Sequence, residues 1–121
     1  MINNNIKPEE ILSIGKKLNT VFKNLNTPVK EIYFIGSRVN NRAKITSDLD
    51  VVIVPKVKSW NSPQEYTKLM KSINLYVSKI KFRGNNIDIQ LSSSFDSAES
   101  WGDNYVRLKS GIIKEYKGRK W

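Results

Sequence analysis

The strongest constraint on the fold of this chain is a pair of apolar runs joined by a polar segment. The first run ends at Gly36-Ser37, and after ten intervening residues the second begins with Asp48-Leu49-Asp50. Side chains alternate between the two faces of a strand, so Asp48 and Asp50 point the same way. Neighbouring carboxylates repel each other unless a cation lies between them. The pair therefore suits an oxygen-seeking ion such as Mg²⁺, beside a small-residue turn able to hold a phosphate.

The composition excludes several classes of protein. A chain of 121 residues suits one domain, 1–121, and it contains neither cysteine nor histidine. Zinc sites of the His–Cys type, Ser-His-Asp triads and histidine general bases are therefore excluded. With no secretion signal and no apolar run long enough to cross a bilayer, we expect a cytoplasmic protein without membrane contact.

The charge is strongly positive, with 21 basic and 11 acidic residues and a formal net charge of +10. Such a surface attracts phosphates, nucleic acid or an acidic protein. The candidate contacts are loop cations with a tryptophan nearby: Arg38, Arg42, Lys44, Lys56, Lys58 and Trp60. The alternative is an ordinary solvated lysine surface, with Trp60 packed against its own domain.

Hydrophobic periodicity and capping signals predict the element order. They indicate a helix from Pro8 to about Asn26 and a second helix that is capped by Ser62 and runs to Ile80. Strands are predicted at Val29–Ile35, 48–54 and 87–91, with a short further strand at Ile112–Tyr116. A final helix is predicted over about 95–109, with buried Phe95 and Trp101 and a stop at Gly111. Residues 1–7 and 117–121 are predicted to be flexible tails. The predicted fold is α/β (α+β), with a mixed sheet of three or four strands flanked by helices.

A third acid lies on the strand Ile87–Leu91, where apolar residues alternate with Asp88 and Gln90. If the face that carries Asp88 is shared with Asp48 and Asp50, three carboxylates converge. Two divalent ions about 3.5–4 Å apart would balance such a triad and support an in-line displacement at phosphorus.

In combination these motifs resemble the DNA polymerase β-type nucleotidyltransferase superfamily, most closely its minimal, antitoxin-like branch. The pattern of that family is Gly-Ser, nine to twelve residues, Asp-x-Asp and a third acid on a later strand. Gly36, Ser37, Asp48, Asp50 and Asp88 match every position. The resemblance spans roughly residues 8–116.

The resemblance implies a role for each matched position. Gly36, Ser37 and Arg38 would bind the phosphates of an NTP, most often ATP. Asp48, Asp50 and Asp88 would hold two Mg²⁺ or Mn²⁺ ions, and Asp88 would act on the attacking hydroxyl. A nucleoside monophosphate would pass to that hydroxyl and pyrophosphate would leave.

The acceptor is left open between two kinds of molecule. The resemblance implies a toxin-like partner protein modified on a Tyr or Ser hydroxyl, and we expect no acceptor-binding domain in this chain. The positive charge favours RNA instead. Two further alternatives are a non-catalytic nucleotide- or nucleic-acid-binding module that keeps the same fold, and an unrelated Mg²⁺-dependent nuclease, which leaves Gly36-Ser37 unexplained.

Overall fold

A computed structural model describes residues 4–93, 104–109 and 112–117 of the chain, which form two helices, five strands and one 3₁₀ turn. The elements are α1 (Pro8–Asn24), β1 (Val29–Ile35), the 3₁₀ turn (Ser37–Val39), β2 (Leu49–Pro55), α2 (Pro63–Val77), β3 (Ile87–Leu91), β4 (Tyr105–Lys109) and β5 (Ile112–Lys117). The α+β class with a mixed sheet is confirmed. The sheet has five strands instead of the three or four predicted.

The strands lie in the order β3-β2-β1-β4-β5. β2 pairs in parallel with β3, and every other pairing is antiparallel. A parallel pair needs a long crossover, which α2 supplies. In the resulting register Asp50 lies opposite Ile35 on one side and Asp88 on the other.

Both helices pack on one face of the sheet. Their buried side chains meet alternate residues of the strands, and the largest members of this core are Phe22, Phe34, Phe82, Leu18, Ile53 and Leu108. The intervening strand residues form a second apolar cluster on the opposite face: Tyr33, Ile35, Val52, Val54 and Tyr105. The central strand β2 is therefore buried on both faces, as its unbroken β-branched run predicted.

The predicted helix start at Ser62 is confirmed, because the Ser62 hydroxyl accepts a hydrogen bond of 3.1 Å from the Glu65 amide. Both helices end two or three residues earlier than predicted, at Asn24 and Val77. Trp60 is half-buried and meets the Tyr66 ring edge-on at 5.4 Å between centroids. The prediction that Trp60 packs against its own domain is confirmed.

The predicted final helix is wrong over 105–109, which form strand β4. Val106 and Leu108 enter the helix-side core, whereas Tyr105 faces the cluster on the opposite face of the sheet. In so short an apolar segment, the sequence alone does not distinguish the period of a strand from that of a helix. The Arg107 guanidinium crosses to the buried Glu31 carboxylate on β1 at 2.5 Å. The predicted sites at Phe95, Trp101 and Gly111 lie outside the described residues. The strand predicted at Ile112–Tyr116 is confirmed as β5.

The prediction of a flexible tail at residues 1–7 is wrong for residues 4–7. The Ile6 side chain is fully buried and its amide donates to the Arg38 carbonyl at 2.9 Å. Asn5 is also buried, and its side-chain oxygen accepts from the Asn41 amide at 2.9 Å. At the other end, Lys117 is the last residue of β5, and 118–121 lie outside the described residues.

The position of Leu108 gives a test of the corrected fourth strand. A Cβ added to Gly15 of α1 would overlap the Leu108 side chain, so the two elements are in close contact. We expect Leu108→Ala to lower the free energy of unfolding by about 2–5 kcal/mol through lost burial and a cavity. Leu75→Ala, at a position 65% exposed on α2, should change it by less than about 0.5 kcal/mol. Urea unfolding of both variants measures the difference, and equal effects would contradict the packing.

Candidate active site

The turn after β1 is a tight backbone corner at Gly36, whose φ is 80°. The Gly36 carbonyl accepts hydrogen bonds from the Asn40 side-chain amide at 2.7 Å and from the Val39 amide at 3.2 Å. Asn40 is itself buried. The corner is therefore held from within the protein, and glycine is the residue that adopts this positive φ without strain.

Gly36 also lies directly against Asp50. A Cβ at Gly36 would overlap the Asp50 Oδ2 atom and lie 3.2 Å from the Asp50 Cγ atom. The cause is the register, which pairs Ile35 with Asp50 and places the next residue of the chain over that carboxylate. Glycine is required here both for its φ and for the space, and it brings backbone close to the acid.

The three predicted acids lie near one another but differ in exposure. Asp50 is half-buried, whereas Asp48 and Asp88 are exposed. The pKa of Asp50 is raised above its ordinary value, first by burial and then by the negative charges of Asp88 and Asp48. Burial and like charge both disfavour the ionised carboxylate. The charges of Asp88 and Asp48 therefore act on Asp50, whereas the convergence of the three carboxylates on one bound ion stays a prediction.

A groove of about 400 Å³ opens beside the acids. It is lined by Asp48 and Asp88 together with Asn74 and Ser78 at the end of α2 and by Asn86. The C-terminal end of a helix carries partial negative charge and favours a cation. The acids and the helix end therefore make this groove electronegative in a protein that is otherwise strongly basic.

The donor set fits a divalent cation in its chemistry. Carboxylate oxygens are the ligands that Mg²⁺ prefers, and Asp50 pairs in register with Asp88. Within 4–93, 104–109 and 112–117, however, no three acidic side chains are close enough to form a complete metal-binding cluster. Asp50, its register neighbour Asp88 and the groove-lining Asp48 are the residues that would hold an ion. A two-ion site stays a prediction.

Ser37 lies half-buried at the first position of the 3₁₀ turn. Its carbonyl accepts from the Asn40 and Arg42 amides, each at 3.3 Å. Its hydroxyl makes no hydrogen bond to any residue of the described part of the chain. Phosphate binding by Ser37 stays a prediction.

The comparison with protein families agrees with this geometry. A family model described as a nucleotidyltransferase domain matches residues 16–95, more than half of the chain. The chain belongs to this family. The matched region contains Gly36, Ser37 and all three acids. No curated protein and no solved structure gives a significant match.

The structure of this nucleotidyltransferase domain corrects the prediction for Arg38. Its side chain is 1% exposed, and its guanidinium donates to backbone carbonyls of Asn4 at 2.7 Å, Ile45 at 3.1 Å and Ser47 at 2.9 Å. Burial, followed by the charge of Arg83, lowers its pKa. Arg38 is therefore engaged inside the protein and does not face the groove as a phosphate ligand.

The basic loops do not form one surface around the site. Arg42 and Lys44 follow the Gly36 corner, whereas Lys56 and Lys58 follow the far end of β2. The Lys56 amide bonds to the Pro28 carbonyl, just before β1 begins. These exposed cations therefore lie at opposite ends of the central strands, and a nucleic-acid contact through them stays a prediction. Among the described residues, no helix is long and apolar enough to cross a membrane.

Substitutions at two glycines with the same backbone conformation distinguish the cost of backbone strain from the cost of steric overlap at the Gly36 corner. Gly84 has a φ of 81° and nothing within 4 Å of an added Cβ. We expect Gly84→Ala to cost about 1–2 kcal/mol of stability from the left-handed backbone alone. Gly36→Ala should cost at least about 1 kcal/mol more, since its methyl group overlaps Asp50. Urea unfolding measures both, and a Gly36→Ala variant no less stable than Gly84→Ala would refute the contact.

The raised pKa of Asp50 predicts a penalty at neutral pH. Because its folded-state pKa exceeds its unfolded value, the folded protein binds the proton more tightly, and ionisation lowers stability as the pH rises through that range. We expect Asp50→Asn to be more stable than wild type at pH 7 without divalent ions, with a smaller difference in acid. Mg²⁺ at ten times its Kd should add about 1.4 kcal/mol to wild type and much less to the variant.

Thermal unfolding with and without Mg²⁺, at several pH values, checks the Asp50 prediction. Glu9→Gln, which removes an exposed acid from α1, is the matched control for loss of one negative charge. An Asp50→Asn variant less stable than wild type in metal-free buffer at pH 7 would contradict the prediction.

Proposed function

We propose that the protein is a divalent-metal-dependent nucleotidyltransferase that moves a nucleoside monophosphate from an NTP, preferably ATP, to a hydroxyl of a protein or RNA. The observation that carries the proposal is the row formed by the Gly36 corner, Asp50 and Asp88 across three neighbouring strands. A glycine turn that brings backbone close to two acids in register suits such a transfer. Family membership supports the same reaction class.

The transfer balances with the groups at the site. The acceptor oxygen forms a bond to the α-phosphorus, the bond from that phosphorus to the bridging oxygen breaks, and pyrophosphate leaves with the electron pair. Asp88, exposed beside Asp50, would take the hydroxyl proton. Ser37 and the Gly36 backbone would contact the outgoing phosphates. A bound divalent cation would supply charge neutralisation for the transferred and leaving groups.

The acceptor is proposed from two independent observations. The resemblance to the antitoxin-like branch supports a partner protein modified on a Tyr or Ser hydroxyl. The net charge of +10 supports RNA, since basic surfaces attract phosphate backbones. The acids lie on strands near an open groove, so either acceptor would bring its hydroxyl to Asp88 from outside.

Transfer of label tests the proposed reaction. The protein is incubated with each α-³²P-labelled NTP and Mg²⁺ or Mn²⁺, with either total RNA or candidate partner proteins. We expect label on one acceptor class, and a loss of at least about 100-fold in Asp50→Asn and Asp88→Asn, because several kcal/mol of transition-state stabilisation disappear. Ser37→Ala should lose about tenfold, the value of one hydrogen bond to a charged group.

The control and the alternative outcomes are equally specific. Glu9→Gln removes an exposed acid of α1 that does not line the groove, and it should keep wild-type transfer. NTP binding without transfer to any acceptor would favour a non-catalytic binding module. Shortening of the RNA without label incorporation would favour a nuclease.

A further inference from the structure

Two arginines enclose the aromatic ring of Phe82. The central guanidinium carbons of Arg38 and Arg83 lie 4.9 and 4.8 Å from the centroid of that ring. Phe82 is buried and opens the turn that leads into β3, the strand of Asp88. Guanidinium groups stack favourably on aromatic faces, more so when water is excluded. Phe82 therefore links the Arg38 side chain to the turn before Asp88.

Arg38 also holds the loop that carries Asp48. Its Nη2 atom donates to the carbonyls of Ile45 and Ser47, and its Nε atom donates to Ser47 again at 3.3 Å. Ser47 directly precedes Asp48 in the chain. A planar guanidinium can bind these carbonyls together, whereas a lysine ammonium has no such fork.

The turn and the loop are joined a second time by Asn85. Its side-chain amide donates to the Ile45 carbonyl at 2.7 Å, the same carbonyl that Arg38 binds. One residue later, the Asn86 carbonyl accepts from the Leu49 amide at 3.0 Å. The segments that lead into β2 and β3 are thus connected through both side chains and backbone.

The amino-terminal segment is part of the same assembly. The Asn4 carbonyl accepts from Arg38 at 2.7 Å, and the Asn5 carbonyl accepts from Arg83 at 3.1 Å. Arg83 also forms a two-pronged ion pair with Glu10 of α1, at 2.6 and 2.8 Å. Residues 4–10 are thereby fastened against the loop before Asp48.

The burial of Arg38 is costly and therefore needs a reason. A guanidinium removed from water loses its solvation, and this loss is offset only if its donors are satisfied. Within the described part of the chain, its hydrogen bonds go to neutral carbonyls and it makes no direct ion pair; only the charge of Glu10, which pairs with Arg83, favours its ionised form. This arrangement fixes the position of the loop before Asp48 relative to the turn before Asp88.

We infer that Arg38 is a positioning residue for cation binding. Together with Phe82, Arg83 and Asn85 it forms an arginine brace, which fixes the Asp48 loop against the turn before Asp88. The brace sets the distance between the acids and so determines the affinity of the site for a divalent cation. This inference rests on the proposed function, since it assumes that the acids bind such an ion.

Direct binding of Mn²⁺ to the metal-free full-length chain, without nucleotide, tests the inference. Electron paramagnetic resonance of free Mn²⁺ gives the Kd for wild type, Arg38→Gln, Arg38→Lys, Asn85→Ala and Lys44→Gln. We expect the Kd to rise about 10–100-fold in both Arg38 variants, as when a residue supporting metal ligands is lost. A smaller rise in the same direction is expected in Asn85→Ala.

Lys44→Gln is the matched control, because it removes one exposed positive charge from the same loop. Simple electrostatics predicts tighter cation binding whenever a nearby positive charge is removed. Lys44→Gln should therefore leave the Kd unchanged or lower it slightly. The brace predicts the opposite sign for Arg38→Gln, and this sign separates positioning from charge.

The outcomes distinguish the two proposals. Unchanged or tighter Mn²⁺ binding in folded Arg38→Gln, with wild type binding normally, would overturn the brace and leave the proposed function standing. Wild type that binds no Mn²⁺ would overturn both. If Arg38 variants fail to fold by circular dichroism, Asn85→Ala decides: unchanged Kd and unchanged hydrogen exchange at the Leu49 amide would reject the brace.

Discussion

The register of three neighbouring strands is the constraint on which the rest of the structure depends. β2 pairs with β1 on one side and β3 on the other, so Ile35, Asp50 and Asp88 lie in one row. Side chains alternate with period two, and a slip of one residue would turn both acids to the helix side. The apolar residues between them prevent this slip because they fill the core beneath α1 and α2. The strand register that packs the core is therefore also the register that places the acids.

Several features of the site lower the stability of the folded protein, and the packing of the core must offset them. Asp50 is half-buried beside two other acids, the chain turns through a positive φ at Gly36, and an arginine is buried nearby. Each feature costs stability in the protein without ligands. A fold that accepts these costs in one small region has its binding groups arranged before the ligand arrives, which reduces the reorganisation needed for transfer.

Much of the fold and the acids of the site could be predicted from the sequence because their signals are local. Apolar periodicity located α1, β1, β2, α2 and β3, and the spacing from Ser37 to Asp48 indicated a phosphate turn beside acids. Tyr105–Lys109 was misassigned because five residues fit either period, and pairing with β1 decides between them.

No local sequence pattern predicted the burial of Arg38. Its partners are carbonyls at residues 4, 45 and 47, and backbone carbonyls look alike in any sequence. The docking of residues 4–7 depends on the same long-range contacts. The polar Asn run at the start of the chain is typical of a frayed end, yet here Asn4 and Asn5 bond to distant loops. Such residues are assigned only when the distant segments are seen together.

The position of β3 has a consequence for the size of the acceptor. Among the described strands β3 is the outermost, so within this part of the chain Asp88 has a neighbouring strand on one side only. A site in the middle of a sheet would admit small molecules through a narrow mouth, whereas a site at its margin leaves room for a bulky surface to come alongside. If the acceptor is a macromolecule, as proposed, its hydroxyl would reach Asp88 laterally, without any part of that macromolecule having to enter the protein.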